Sequence, residues 1–315
     1  MHADEPGVVL VDADLDPGRF ATHTSTARGF ALRYVREGVG GVPLLLVHGW
    51  PETKRLYWRV IEPLAAAGFE VIVPDLRGFG ESDVGPDHLH DTVASSRDLH
   101  ALVHDDLGHQ RVVIGGGDFG GAIVQDLAAR FPELVDRLVL FNSPLPYLAD
   151  EMAGLTTRAE STHDYFFRQG TDGDALLAEL EAPGARRRYV ATFYSSRLWA
   201  HPGSFDDATI AFHADPFEDA TKLRASWGAY ESVFDRELRT ERPMLGRNAD
   251  VRTLLLYGPS DHVIAPDWDR MAALVYPDHV GPHLLRDVGH FVPWEAPGRF
   301  TQAVISFCGD LLVNR

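Results

Sequence analysis

Residues 112–121 read VVIGGGDFGG, and this stretch decides the fold. Its first three residues are typical of a buried strand, and the apolar spacing from residue 121 to residue 131 predicts a helix. Glycines on both sides of one reactive side chain tolerate the crowding of a strained strand-to-helix turn. Such a turn places Asp118 at the helix N-terminus, where N–H groups and the helix dipole favour its ionised form. We therefore predict a turn that presents a carboxylate; the alternative is a glycine-rich loop with an N-capping aspartate.

The sequence around this turn alternates between short apolar runs and helical patterns. Strand-like runs lie at residues 44–47 and 71–73 before the turn, and at residues 135–141 after it. Apolar residues recur with helical spacing over residues 56–67 and 93–107. Strands that alternate with helices form crossover units, so the pattern predicts an α/β fold with a mostly parallel central sheet flanked by helices.

The pattern changes between residues 144 and 243, where strand-like runs stop. Aromatic residues, arginines and helix formers dominate, and residues 165–167, 189–194 and 223–234 have the spacing of amphipathic helices. This stretch predicts a helical segment inserted between two parts of the α/β pattern.

Strand patterns return at residues 251–257 and 283–286, with a helix from about Asp267 between them. A single domain with an irregular middle is the alternative to an insertion. We predict a core domain of residues 1–143 and 244–315 and an inserted helical cap domain of residues 144–243.

Composition limits the function classes. The chain has 315 residues, with 29 Lys and Arg against 46 Asp and Glu, a formal net charge of −17. Nucleic acids and anionic membranes bind clustered positive charge, so neither is an expected partner. No apolar run approaches the roughly 18–20 residues that span a bilayer. The single cysteine, Cys308, excludes an internal disulfide and fits a buried core position. The acidic, polar residues 1–6 do not resemble a secretory signal, so a cytoplasmic protein that acts on a small molecule is expected.

The candidates for chemistry follow the predicted strands, because ligands of an open parallel sheet bind beyond the strands' carboxyl ends. Asp118 is one of them, and a carboxylate there can attack an sp³ carbon to form an ester. Hydrolysis of that ester needs a base that activates water and an acid that orients the base. His290 lies in a Gly-His-Phe loop after one strand, and Asp261 in a Gly-Pro-Ser-Asp turn after another. The order nucleophile, acid, histidine predicts a catalytic triad; a structural histidine and an ordinary turn aspartate are the alternatives.

A tetrapeptide at residues 48–51, His-Gly-Trp-Pro, follows the predicted strand at residues 44–47. The backbone N–H groups of Trp50 and Phe119 are the predicted oxyanion hole, because both follow strands that end at the same edge. The bond between Trp50 and Pro51 is a candidate cis peptide, since X-Pro bonds adopt that form at low cost.

These motifs together are similar to those of the α/β-hydrolase superfamily, and within it the chain resembles the epoxide hydrolases with an aspartate nucleophile. The resemblance extends from about residue 27 to the last helix and rests on residues 48–51, 75–82, 116–120, 257–261 and 289–291. It implies an α/β-hydrolase fold with a helical cap and no cofactor or metal. It also implies that an epoxide becomes a vicinal diol through a hydroxyalkyl ester on the nucleophile.

The resemblance further implies two cap tyrosines that bind and protonate the epoxide oxygen. Tyr165 and Tyr230 match these positions, although Glu231 stands where the family often has arginine. Tyr189 and Tyr194 are the competing candidates. A phenol that points at a strained ether oxygen can stabilise the leaving alkoxide.

Two alternatives to epoxide hydrolysis remain. Haloalkane dehalogenases share the aspartate and the ester, but they typically carry tryptophan after the nucleophile and often asparagine in the oxyanion loop. This chain has Phe119 and Trp50 there, and residues 120–122 lack the arginines of fluoroacetate dehalogenases. A non-catalytic ligand-binding protein of the same fold is the second alternative. Aromatic cap residues favour a small apolar or aryl epoxide as substrate, and a homodimer is compatible with the sequence.

Overall fold

The computed structural model describes residues 13–159 and 164–313. Residues 1–12, 160–163 and 314–315 fall within the predicted domain ranges but lie outside the described residues. Residues 1–6, on which the expected localisation rests, are among them. The described residues form one eight-stranded sheet with flanking helices. The strands are β1 (Thr22–Ser25), β2 (Leu32–Glu37), β3 (Val42–Val47), β4 (Phe69–Pro74), β5 (Val112–Gly116), β6 (Val135–Phe141), β7 (Arg252–Tyr257) and β8 (His279–Leu284).

Helices precede, connect and follow these strands. Short 3₁₀ turns lie at Ala13–Leu15, Lys54–Tyr57, Asp215–Glu218 and Arg236–Leu238, and a π-helical segment lies at Ala101–Asp106. The α-helices are α1 (Trp58–Ala66), α2 (Thr92–His100), α3 (Asp118–Arg130), α4 (Asp164–Thr171), α5 (Gly173–Glu179), α6 (Pro183–Ser195), α7 (Asp207–Ala214), α8 (Ala220–Ser226), α9 (Gly228–Phe234), α10 (Trp268–Val275), α11 (Val292–Glu295), α12 (Pro297–Phe307) and α13 (Gly309–Val313).

The sheet is mostly parallel, which confirms the predicted architecture. Its strand order is β1-β2-β4-β3-β5-β6-β7-β8, and only the pairs formed by β2 with β1 and with β4 are antiparallel. Strands β3, β4 and β5 are buried along their whole length, so the core lies around the middle of the sheet. Val47 of β3 pairs with Gly116 of β5, and Phe141 of β6 pairs with Leu256 of β7. The loops that follow these four strands therefore meet at one edge.

The last strand differs from the prediction. Residues 283–286 were expected to form it, whereas β8 runs from His279 to Leu284. This strand lies at the edge of the sheet, is mostly half-buried or exposed, and contains Gly281 and Pro282. Proline donates no ladder hydrogen bond and is confined to such edge positions, and for that reason the residues before 283 did not read as a strand.

Residues 223–234 were predicted as one helix, and this was wrong. They belong to α8 and α9, which are separated at Trp227. A Cβ atom on Gly228 would come within 2.7 Å of the Cβ of His90, so close packing requires glycine at the start of α9. Glycine also weakens a continuous helix, and the chain turns here.

The helices α4 to α9 lie between β6 and β7, and α4 packs against α9. One part of this region, residues 198–204, is bonded directly to the loops at the sheet edge and is called the 198–204 segment below. The His290 N–H donates to Trp199 O at 2.8 Å, and the His201 N–H donates to the Glu295 carboxylate at 2.8 Å. The inserted helices are thus fastened to the loop that carries His290.

Two further expectations concern single features. Among the residues that the structure describes, none of the helices combines the length and the apolar character that crossing a membrane requires. Cys308 is buried, as predicted.

Candidate active site

Asp118 begins α3 directly after β5 and has a positive φ of 45°. The backbone around it is crowded, because a Cβ on Gly49 would come within 2.4 Å of Asp118 Oδ1, and one on Gly120 within 2.4 Å of His48 O. Its own N–H donates to Asn142 O at 2.9 Å, which ties the turn to the end of β6. A side chain in this region of φ is strained and persists only where its surroundings enforce it. The turn holds Asp118 in the wall of a cavity of about 430 Å³.

The structure brings His290 and Asp261 next to Asp118. His290 Nε2 lies 3.3 Å from Asp118 Oδ2, and His290 Nδ1 lies 2.7 Å from Asp261 Oδ2. Burial lowers the pKa of His290, but the charge of Asp261, the hydrogen bond to it and the interaction with the nearby Asp118 carboxylate outweigh burial, so this pKa lies well above its usual value. An imidazole between two carboxylates can hold a proton and release it again, as a base in proton transfer must.

Asn142 is a site residue that the sequence reasoning missed. Its Nδ2 donates to Asp261 Oδ2 at 2.8 Å and to Gly258 O at 2.9 Å, and its Oδ1 accepts the Gly258 N–H at 2.8 Å. The second oxygen of Asp261 accepts the Val263 N–H at 2.7 Å. These bonds fix the carboxylate that faces His290. Asn142 directly follows β6. The sequence analysis selected Asp118 because functional residues follow the strands of a parallel sheet, and the same rule could have identified Asn142.

Trp50 contributes a hydrogen-bond donor to Asp118. Its N–H donates to Asp118 Oδ1 at 2.8 Å, and the peptide bond between Trp50 and Pro51 is cis, as the sequence suggested. His48 fixes this loop by accepting a main-chain N–H that follows β4, at 3.0 Å. Burial lowers the pKa of His48 to about 4, so the ring is neutral and can accept this bond. The Phe119 N–H lies in the first turn of α3, where helix geometry leaves N–H groups without a partner inside the helix.

Tyr165 of α4 and Tyr230 of α9 line the same cavity as Asp118, and their ring centroids are 6.0 Å apart. Burial and the charge of Asp118 raise the pKa of both phenols well above the usual value, so both keep their protons. Tyr189 instead bonds a glutamine amide of α4, and Tyr194 bonds a main-chain carbonyl of the 48–51 loop. Neither Tyr189 nor Tyr194 is part of the cavity wall.

Glu52 is a buried carboxyl that the sequence reasoning also missed. It accepts the Gly49 N–H at 2.5 Å, so it supports the loop that carries Trp50. Burial raises its pKa to about 8, although the charge of His290 acts in the opposite direction. Glu52 lies three residues after Gly49, within reach of the backbone N–H that it binds. This short spacing is the signal that could have identified it.

Glu295 holds the loop that carries His290. Its carboxylate accepts the N–H groups of Gly289 and Phe291, both at 2.9 Å, and so binds the backbone on each side of the histidine. Burial raises the pKa of Glu295 above its usual value and outweighs these hydrogen bonds, which act in the opposite direction. The residue positions His290 without touching the cavity.

The remaining cavity wall is mostly apolar. The wall comprises Asp91, Thr92, Asp118, Phe119, Ala122, Pro144, Tyr165, Phe166, Ala229, Tyr230, Ser232, Val233, Arg239, Pro243, Leu245, Val263 and Ile264.

Among the described residues, the one group of three side chains close enough to hold a metal ion is His100, His104 and Asp105. None of these three residues lines the cavity.

Comparison with known proteins agrees with this architecture. A family model described as alpha/beta hydrolase fold matches residues 42–297. Epoxide hydrolase 4 of Homo sapiens is 33% identical over 284 residues, which are 89% of this chain and 76% of that protein. A haloalkane dehalogenase of Mycolicibacterium paratuberculosis is 37% identical over 227 residues, 70% of this chain and 74% of that protein. The solved structure of epoxide hydrolase CorEH without ligand is similar with a TM-score of 0.77 at 23% identity, covering 93% of this chain and 99% of that one. The chain therefore belongs to the α/β-hydrolase fold family, in the part of it that contains the epoxide hydrolases.

Proposed function

We propose that the protein is an epoxide hydrolase that converts an epoxide to a vicinal diol. The observation that carries the proposal is the cavity wall that Asp118 shares with the phenols of Tyr165 and Tyr230. A carboxylate nucleophile and proton donors in one apolar cavity are the groups that opening of a strained ether needs. In this proposal residues 144–243 act as a cap domain, because α4 and α9 supply the two phenols.

The first step forms an ester. An oxygen of Asp118 attacks an epoxide carbon, the bond from that carbon to the ring oxygen breaks, and the alkoxide takes a proton from Tyr165 or Tyr230. The phenolate that remains is reprotonated as His290 gives up its proton. Esterification removes the charge of Asp118, which is one of the causes that raise the pKa of His290, so the loss of this proton accompanies the step.

The second step hydrolyses the ester. The neutral His290, oriented by Asp261, takes a proton from a water molecule, and the resulting hydroxide attacks the ester carbonyl carbon of Asp118. The N–H groups of Trp50 and Phe119 stabilise the oxyanion. When the tetrahedral intermediate collapses, the diol leaves as an alkoxide, takes the carboxyl proton, and the ionised Asp118 and protonated His290 are restored.

Haloalkane dehalogenation uses the same aspartate chemistry but needs N–H donors for a leaving halide. The Trp50 indole already donates to Ser226 Oγ at 3.0 Å, and the Phe119 side chain has no donor. Among the described residues, no tryptophan belongs to the cavity wall, whereas two phenols do. The cavity therefore suits epoxide opening better than dehalogenation. The complete set of Asp118, Asp261 and His290 disfavours the other alternative, a protein that only binds a ligand.

Product analysis with the purified protein tests the proposal. Aryl and alkyl epoxides should give vicinal diols, and matched bromo- and chloroalkanes should release no halide above a sample without protein. The measurements are chromatography of the diol and a colorimetric assay for halide. Halide release without diol would replace the proposal with dehalogenation, and the absence of both products would favour the ligand-binding alternative.

The variants Tyr165→Phe and Tyr230→Phe should each lower kcat/KM for diol formation by about 10²-fold, because each removes one proton donor to the leaving oxygen. Steady-state kinetics with a single aryl epoxide measures the effect. The matched control is Tyr189→Phe, which removes a cap hydroxyl outside the cavity wall and should change kcat/KM little. A loss in Tyr189→Phe equal to that in the other two variants would contradict the assignment.

A further inference from the structure

A cluster of metal-ligating side chains lies outside the cavity, at the C-terminal end of α2. One ring nitrogen each of His100 and His104 and one carboxylate oxygen of Asp105 lie within 4.8 Å of one another. None of the three residues lines the cavity, and no step of the proposed mechanism involves them. The cluster therefore needs an explanation of its own.

The backbone brings the three side chains to one face. The helix α2 ends at His100, and the chain continues as the π-helical segment Ala101–Asp106, in which the Leu107 N–H donates to Leu102 O, five residues earlier, at 3.0 Å. In an α-helix, Asp105 would point about 140° away from His100, because successive residues are about 100° apart. The wider π-helical turn brings the fifth residue back above the first. Such segments are rare and are frequent at functional sites.

His100 is held in place and is available as a ligand. Its ring packs on Phe131 with the ring centroids 4.0 Å apart, and it stacks on His104 at 5.0 Å. Among the described residues, neither ring nitrogen of His100 has a hydrogen-bond partner. Burial lowers the pKa of His100, although the charge of Asp105 acts in the opposite direction. The ring is therefore neutral at pH 7 and keeps the lone pair that binds a metal ion.

His104 and Asp105 present two ligand atoms at a spacing that suits one ion. His104 Nδ1 and Asp105 Oδ1 lie 2.8 Å apart. Bonds from zinc to nitrogen or oxygen are about 2.0–2.2 Å long, so two ligand atoms at right angles around one ion are about 3 Å apart. The two side chains are 40% and 55% exposed. Because exposed pairs of this kind add little to stability, a stabilising ion pair does not account for the cluster.

The charges and the donor set select the class of ion. The carboxylates of Asp105 and of Glu133, in the turn after α3, both favour positive charge at His100. Two imidazoles and one carboxylate are ligands that suit Zn²⁺, Ni²⁺ and Cu²⁺, whereas Mg²⁺ and Ca²⁺ prefer oxygen ligands. The cluster thus matches a divalent transition metal.

We infer that His100, His104 and Asp105 form a binding site for a divalent transition-metal ion of the zinc type, with water at the remaining positions. Phe131, on which His100 packs, directly follows α3, and α2 packs against α3. A bound ion would hold the end of α2 and the π-helical segment in the folded arrangement. Because folding assembles the three ligands, the ion should stabilise the folded chain. This inference does not depend on the proposed function.

Calorimetric titration of Zn²⁺ into chelator-treated protein without an affinity tag tests the site. The wild type should bind one Zn²⁺ per chain, and excess Mg²⁺ should not displace it. His104→Gln should bind at least about 100-fold more weakly, since loss of a residue that only supports a metal ligand already costs about 10- to 100-fold in affinity. Asp105→Asn keeps an oxygen but loses the charge, so its affinity should lie between these values.

His283→Gln is the matched control, because His283 is an exposed histidine of β8 outside the cluster. Its affinity for Zn²⁺ should equal that of the wild type. Thermal unfolding gives a second measurement: saturating Zn²⁺ should raise the unfolding temperature of the wild type and of His283→Gln, but not that of His104→Gln. The inference would be overturned by a wild type without a saturable Zn²⁺ site, by an equal affinity in His104→Gln, or by displacement of Zn²⁺ by Mg²⁺.

Discussion

Replacement of Asp118 by alanine should lower diol formation by about 10⁴-fold or more, because it removes the carboxylate that attacks the epoxide in the proposed mechanism. Removal of a single member of a comparable catalytic triad has effects of about 10⁴- to 10⁶-fold. The Trp50 N–H and the His290 ring, which now face the carboxylate at 2.8 and 3.3 Å, cannot replace it as a nucleophile. Steady-state turnover of styrene oxide, measured by diol chromatography, gives the effect.

Asp126→Asn is the matched control for this loss. Asp126 is also a buried carboxylate on α3, but it bonds Arg130 at 2.9 Å and does not belong to the cavity wall. Its variant can lose stability but should keep turnover per folded molecule. Circular dichroism establishes that both variants are folded. If Asp118→Ala kept more than about a hundredth of the wild-type turnover, far above the range for a lost nucleophile, the assignment of Asp118 would be wrong.

The second large effect is expected in His290→Gln, which should form the ester but fail to hydrolyse it. Steady-state diol formation should fall by about 10³-fold or more, since the variant lacks the base that activates water in the proposed mechanism. Attack by Asp118 itself does not need that base. Mass spectrometry of the protein after exposure to an epoxide should show an increase equal to the epoxide's mass, located on the peptide that contains Asp118.

The double variant Asp118→Ala/His290→Gln separates this ester from other adducts. It should show no increase in mass, because the acceptor carboxylate is absent. An equal adduct in the double variant would indicate alkylation of another side chain. A His290→Gln protein that hydrolyses its ester at the wild-type rate would mean that another group activates the water.

The parallel part of the sheet and the placement of Asp118, Asp261 and His290 could be predicted because both follow from local pattern. Continuous apolar runs identify buried parallel strands, and the carboxyl ends of such strands share one edge. By contrast, β1 is a short and largely exposed strand with the sequence THTS, which carries no apolar alternation. Its place beside β2 is set by long-range pairing that no local pattern contains.

The supporting residues of the site were harder to predict. Asn142, Glu52 and Glu295 act through hydrogen bonds to backbone groups or to another carboxylate, and their partners become visible only when the loops are assembled. Among the tyrosines of residues 144–243, the family resemblance singled out Tyr165 and Tyr230, but the residue pattern by itself did not separate them from Tyr189 and Tyr194. Their selection depends on how α4 packs against α9, because this packing decides which rings reach the cavity.

The 198–204 segment attaches one side of the helical region between β6 and β7 to the loop that carries His290. A swing that opened this side would break the bond from the His290 N–H to Trp199 O and would pull on Glu295, which holds the same loop through Gly289. We therefore expect this side to stay in place when a molecule enters the cavity, so that His290 keeps its position between Asp118 and Asp261.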